Sequence, residues 1–259
     1  MSKNFELLQK LGKEQDFLSP VPVDTKAREA AADSATMPSA PSMPLAANPK
    51  VNPGLEEIGA LVQQLFLLPG ASAPRSVALT STEPGAGCTW VTARIGEVLA
   101  GRIAGSVCLV DANLKDPGLH QQFGLDNRNG LRDALSQMDP IRSFARPLGL
   151  PNLFLIPAGA VDSSDQTPLA SDRMRLRITE LRSEFDIVLI DLPALNVSSD
   201  VIGMSALCEG VLLVLKANAS RKQTARQAVE ELQAGSAKVL GAVLNQRTFP
   251  IPEKLYKRL

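Results

Sequence analysis

Histidine is almost missing from this 259-residue chain, with His120 the only one. That leaves little room for a histidine-based catalytic triad or a multi-histidine metal site. Aromatic residues are also scarce, at one Trp, one Tyr and eight Phe. Neither sign of charge dominates: 27 basic and 27 acidic side chains cancel to a formal net charge of zero. No long-range field therefore draws the chain to nucleic acid, and no nucleic-acid partner is expected. The three cysteines, Cys88, Cys108 and Cys208, lie far apart and make no C-x-x-C pair. So sparse and odd a set suggests a reducing compartment rather than a disulfide framework. No apolar run approaches the ~18 residues of a membrane span, and residues 1–10 show no apolar stretch behind a basic start, as a signal peptide would. These absences predict a soluble, cytoplasmic protein.

What is present divides the chain unevenly. Residues 1–19 carry Phe5, Leu7, Leu8, Leu11, Phe17 and Leu18 and read as a short amphipathic segment, either docked on its own domain or offered to a partner as a linear motif. Residues 20–54 hold seven of the 19 prolines, separated by Ala, Ser and Met. Proline breaks helical continuity, and few large apolar groups offset the entropy of ordering, so this stretch reads as a flexible linker. Residues 55–247 have the regular patterning of one folded domain, and residues 248–259 form a basic tail with Lys254, Lys257 and Arg258.

Within the domain, short apolar runs bounded by turn residues mark buried strands: SVALTS (76–81), SVCLVD (106–111), NLFLIP (152–157), DIVLID (186–191), GVLLVLK (210–216) and KVLGAVLN (238–245). Helical patterns alternate with them over 55–68, 89–102, 131–136, 168–182, 200–208 and 221–233. Strand and helix in alternation predict an α/β fold with a doubly wound, mostly parallel sheet flanked by helices.

The segment richest in chemistry is SVALTSTEPGAGCTWVTARIGEVLA (76–100). A buried strand runs into a loop of Pro84, Gly85, Ala86 and Gly87, then into a helix opening with Cys88, Thr89 and Trp90. Glycines let backbone N–H groups converge on an anion, and a helix N-terminus adds unpaired donors and the positive end of its dipole. The loop approaches the G-x-x-x-x-G-K-[ST] pattern that cradles polyphosphate, with Thr89 as the hydroxyl that ligates magnesium. The lysine of that pattern is replaced by Cys88, a neutral thiol. Loss of one charge-assisted contact is worth roughly 1.5–3 kcal/mol. The segment is either a weakened phosphate site or a structural strand–turn–helix.

In order and spacing, the motifs from about Pro53 to Arg247 resemble the bacterial tyrosine kinases of capsule and exopolysaccharide export, which lie among the MinD/ParA-like P-loop ATPases. TSTEPGAGCT is similar to their Pro-Gly-x-Gly-Lys-Ser loop. VCLVDANLKDPGLHQQFGL (107–125) resembles their second acidic motif, and FDIVLIDLPA (185–194) their Walker B strand. The resemblance implies a P-loop fold, Mg-ATP or Mg-ADP as cofactor, and a membrane polysaccharide co-polymerase as partner, with the chain peripheral to the membrane through that partner. Carried over by position, Asp111 is the catalytic acid near magnesium, Asp191 the Walker B acid that holds the metal, and Asn245 the contact to adenine. Thr89, Asp111 and Asp191 make up the implied metal set. Pro84 through Trp90, together with Asn245, make up the implied nucleotide site.

Five departures accompany the match. Cys88 stands for the loop lysine, and Asn113 for the second acid of the second motif. Gly59 and Val62 stand where ring-forming members carry arginines. Tyr256 is the only tyrosine, where active members carry a cluster. Lys115 keeps only the charge of the family's arginine. Together the departures predict a degenerate, kinase-like regulator or scaffold of exopolysaccharide synthesis with weak or lost nucleotide binding. The alternative is a working Mg-ATP-dependent tyrosine kinase or ATPase with an altered loop.

Overall fold

The structure is a computed structural model and describes residues 53–68, 73–160 and 171–247. The chain divides into two units, Met1–Asn48 and Pro49–Leu259, and every described residue lies in the second. The expected amphipathic segment, nearly all of the linker and the basic tail fall outside the described residues.

Helix α1 (Pro53–Val62) continues into one wider turn over Gln63–Leu67. It opens two residues earlier than its apolar pattern predicts, with Pro53 at the first helical position, where a missing N–H breaks no helical bond. Strand β1 (Ser76–Ser81) is buried at all six positions and feeds through the glycine loop into α2 (Cys88–Ala100). Next come β2 (Val107–Asp111), α3 (Leu119–Gln122) and α4 (Leu131–Ser136). A tight turn over Ile141–Phe144 leads to β3 (Arg146–Pro147) and β4 (Leu153–Ile156). Helix α5 (Asp172–Glu184) starts where the Ser171 hydroxyl accepts the N–H of Met174 at 3.3 Å, with Asp172 in its first turn and Arg182 in its last, both favourable to its dipole. The rest of the domain is β5 (Ile187–Asp191), α6 (Asp200–Leu207), β6 (Gly210–Lys216), α7 (Lys222–Ala234) and β7 (Val239–Asn245).

The strands form a seven-stranded sheet in the order β3-β4-β2-β5-β1-β6-β7. Every pairing is parallel except β3 with β4. The doubly wound parallel fold expected from the sequence is therefore present, with β3 as an added antiparallel edge strand. Alternate strand residues serve two apolar layers. Val77, Leu79 and Leu109 pack with Ile58, Val62, Val91, Ile95 and Leu99 of α1 and α2. Ala78, Cys108, Val110 and Ile190 face the other way, onto Leu131, Met174, Ile178, Val201 and Leu232 of α4 to α7. Burial on both faces explains why these strands read as continuous apolar runs rather than as alternation.

The order places β1 between β5 and β6, so the chain reverses winding direction around it. In an open parallel sheet, ligands bind outside the carboxyl ends of the strands at such a point. The β1 loop, Asp111, Asp191 and Asn245 all lie at that edge.

Candidate functional site: a phosphate loop without its cation

The loop after β1 has a shape that only glycine adopts easily. Gly85 has φ +77° and Gly87 φ +82°, in the left-handed region that a Cβ disfavours. A side chain at Gly87 would also collide with the Asn245 amide. The loop is held from the far end of the chain: Asn245 Nδ2 donates to the Ala86 carbonyl at 2.9 Å, and Gln246 Nε2 to the Gly85 carbonyl at 3.1 Å. A third tie comes from Ser220, whose hydroxyl donates to Glu83 Oε1 at 3.0 Å. Helix α2 follows Gly87, its N-cap, with no side-chain cap, so the N–H donors of its first turn have no partner within the helix. Beside them lies a cavity of about 410 Å³ walled by the loop residues Pro84 to Thr89, the 113–118 turn, and Leu192 to Ala194.

Two acids stand at this edge in register, Asp111 ending β2 and Asp191 ending β5. Both are fully buried. Asp111 spends its carboxylate on the backbone of the following turn. Oδ1 accepts the N–H of Asn113 at 3.1 Å, and Oδ2 accepts those of Gly118 at 3.1 Å and Leu119 at 2.9 Å. Burial and the neighbouring Asp191 push its pKa up, and the three N–H groups pull it back down. Asp191 is placed otherwise. Its Oδ1 accepts from the Thr92 hydroxyl at 3.3 Å. The Thr89 hydroxyl and Cys88 thiol address the same carboxylate from the first turn of α2 and favour its ionised form, against a larger upward push from burial. Oδ2 is buried with no hydrogen-bond partner among the described residues.

Cys88 is part of the cavity wall, but its buried thiol addresses Asp191. Burial raises its thiol pKa well above the ordinary value, and the Asp191 charge adds to the effect. The thiol is held neutral despite its position at a helix N-terminus.

Trp90 is partly buried and does not wall the phosphate cavity. It lines a second groove of about 390 Å³ on the β7 side of the loop, with Ile58, Leu61, Leu244 and Asn245. The structure therefore gathers Pro84 to Thr89 in one place, and Trp90 with Asn245 in an adjoining one. Asp111 lies beneath the 113–119 turn, and Asp191 beneath the first turn of α2. Three features are absent from the sequence reading: the clamp by Gln246, the tie from Ser220, and the closure of the 113–116 turn by Asn113. The clamp and the tie join residues more than 130 positions apart, and no local pattern signals them.

The donor set fits a magnesium-bound polyphosphate in all but its cation. The orphaned Asp191 oxygen and the Thr89 hydroxyl would hold the metal. The uncapped N–H groups of α2 and the open space beside Gly85, where nothing lies within 4 Å of a Cβ direction, would receive phosphate oxygens. When bound, the metal would neutralise phosphate charge and orient the chain of phosphates.

A doubly wound parallel sheet, a glycine loop between its central strand and the following helix, and acids ending the two nearest strands on one side define a P-loop protein of the MinD/ParA class. The chain belongs to the family described as cellulose biosynthesis protein BcsQ, whose model matches residues 75–234, and its folded domain is similar to bacterial tyrosine kinases. It is 30% identical over 195 residues to the putative tyrosine-protein kinase EpsB of Ralstonia nicotianae, which covers 75% of this chain and 26% of that one. The chain thus spans about a quarter of that relative's length. The kinase domain of Escherichia coli tyrosine kinase ETK superposes with a TM-score of 0.68 at 22% identity, covering 76% of this chain and 79% of that one. The septum site-determining protein MinD of Pyrococcus horikoshii, complexed with Mg-ADP, gives 0.57 at 24% identity over 71% of this chain and 76% of that one. No helix among the described residues is long and apolar enough to cross a membrane.

Proposed function

We propose that this protein is a kinase-like regulator or scaffold of exopolysaccharide assembly that binds Mg-nucleotide weakly and does not transfer phosphate to tyrosine. The observation that carries the reading is the Cys88 thiol. At the position where the loop lysine would reach the phosphates, the chain presents a buried thiol that burial and the nearby Asp191 keep neutral. A cation there serves the transition state more than the ground state, so its loss weighs more on transfer than on binding. Asp111 supports the same view, because its carboxylate already holds three backbone N–H groups. The base of a bound nucleotide is assigned to the groove between Trp90 and Asn245, and its phosphates to the cavity beside the loop.

The family description, and relatives such as EpsB, support a place in cellulose or capsule assembly. The partner in this reading is a membrane polysaccharide co-polymerase, with the chain held at the inner face of the membrane through that partner. The face that forms charged ring contacts in the kinases is closed here: Val62 is in the core, and Arg102 fills the space beside Gly59 and donates to its carbonyl at 2.7 Å.

One observation favours a second reading, that of a working Mg-ATP-dependent kinase or ATPase. Asp191 keeps an unpartnered oxygen beside Thr89, as a metal ligand would. Incubation with labelled ATP and magnesium separates the two. The regulator gives no labelled Tyr256 and no phosphate release above background. Transfer that disappears in Asp191→Asn would establish the kinase instead.

A further inference from the structure

The cavity beside the loop is not without positive charge. Of the residues that wall it, Lys115 alone carries a positive charge. It sits on the turn after β2, across the cavity from Pro84 to Thr89. Its side chain is exposed and takes part in no hydrogen bond or ion pair among the described residues, not even with the adjacent Asp116, which also lines the cavity.

The turn that presents Lys115 is unusually well fixed. Asp111 holds it from below at Asn113, Gly118 and Leu119. Asn113 closes it from the side: its Nδ2 donates to the Asp116 carbonyl at 2.7 Å, and its Oδ1 accepts the N–H of Asp116 at 3.4 Å. An aspartate at 113 could accept that N–H but could not donate to the carbonyl, and it would add a second carboxylate beside Asp111. The change that removes an acid from the second motif therefore also braces the loop on which Lys115 stands. Two departures that look like independent losses, Cys88 and Asn113, bear on the same cavity from opposite walls.

We propose that Lys115 supplies, from the turn after β2, the phosphate-binding cation that the β1 loop lacks. It rests on the nucleotide-binding reading above and adds a residue to it. A cation reaching from the opposite wall meets the outer end of a phosphate chain whose inner end lies on the α2 N-terminus. The contact is then specific for the terminal phosphate and separates triphosphate from diphosphate.

Titration calorimetry with Mg-ATP and Mg-ADP, on the full chain and on Lys115→Ala, Lys115→Arg and Lys115→Ala/Cys88→Lys, tests this. Lys115→Ala is expected to weaken Mg-ATP binding by about 10- to 100-fold, the range for one charge-assisted phosphate contact, and Mg-ADP binding by less than about threefold on the same scale. Lys115→Arg is expected to keep the preference for triphosphate, and the double variant to regain affinity through the loop. Lys115 is exposed, so its replacement leaves the core intact, and an unchanged melting temperature without nucleotide confirms that. If Lys115→Ala binds both nucleotides as the parent does, the assignment of Lys115 falls while nucleotide binding stands. If the parent binds neither at millimolar concentration, the nucleotide reading falls and the assignment with it.

Discussion

The ends of β2 and β5 carry the same residue, in register, equally buried, and they use it in opposite ways. Asp111 is saturated: its two oxygens accept three backbone N–H groups and hold the 111–119 turn in place. Asp191 is undersupplied: side chains from α2 reach one oxygen, and the other has no partner among the described residues. A buried carboxylate whose hydrogen bonds are satisfied is part of the scaffold. One with an empty acceptor is a site in waiting, since leaving a buried charge uncompensated is costly unless a ligand compensates it. Position in the fold nominates both acids for metal chemistry, and in the reading proposed above it is Asp191 that keeps an acceptor for it.

The largest effect that can break this contrast is removal of the saturated acid. Asp111→Ala strips the acceptor from three N–H groups, at least one of them buried at Leu119. Allowing for relief of the buried charge, we expect a loss of about 3 kcal/mol in urea unfolding. A change under about 0.5 kcal/mol would show that the turn holds itself, and Asp111 would return to the pool of free catalytic acids.

The resemblance assigned the two acids different roles, but which of them spends its oxygens on backbone N–H groups could not be read from the local pattern, since VCLVD and IVLID end alike. The fold around them was far more legible. Runs such as SVALTS and GVLLVLK give the bounds of β1 and β6 directly, because strands buried on both faces are short, mostly apolar runs bounded by turn residues, with only small hydroxyls such as Ser76 and Thr80 among them. Helix α4 is equally plain between Gly130 and Gln137. The two-residue β3 was not foreseen: Arg146 and Pro147 have no strand pattern, and they pair only because Leu155 and Phe154 lie opposite. The phosphate loop was visible by composition, but the clamp that shapes it was not. Asn245 and Ala86 are 159 residues apart. Trp90, one residue from Thr89, faces a different groove, because successive residues on a helix point about 100° apart.

Acid titration sharpens the contrast next. Burial raises the pKa of both Asp111 and Asp191 above the ordinary carboxylate value. The folded chain therefore keeps protons that the unfolded chain has lost as pH rises from about 4 toward 7. Stability contributed by these groups is fully present at the acidic end of that window and declines across it. Asp191→Asn removes one of the two titrations without removing bulk. Its stability relative to the parent should rise with pH, from near parity at about pH 4 to a gain of about 1–2 kcal/mol at about pH 7.5. Magnesium nucleotide should stabilise the parent and not this variant. A flat difference across the window would mean that Asp191 is compensated in the folded chain, and its resemblance to Asp111 would be restored.

The smallest expected effect bears on the wall opposite the loop. Asn113→Asp keeps the acceptor for the Asp116 N–H and loses the 2.7 Å donation to the Asp116 carbonyl. It also sets a new carboxylate next to a turn already built around Asp111. The site is half-exposed, so solvent takes over part of the lost bond, and we expect a destabilisation of about 1 kcal/mol. Restoring the family's acid should thus make the turn after β2 weaker, and the penalty should shrink as pH falls below about 4, where the new carboxylate is protonated. If Asn113→Asp is instead neutral or stabilising at pH 7, the turn does not depend on the amide. The loss of the second acid would then be unconnected with the bracing of Lys115, and the two walls of the cavity would have diverged independently.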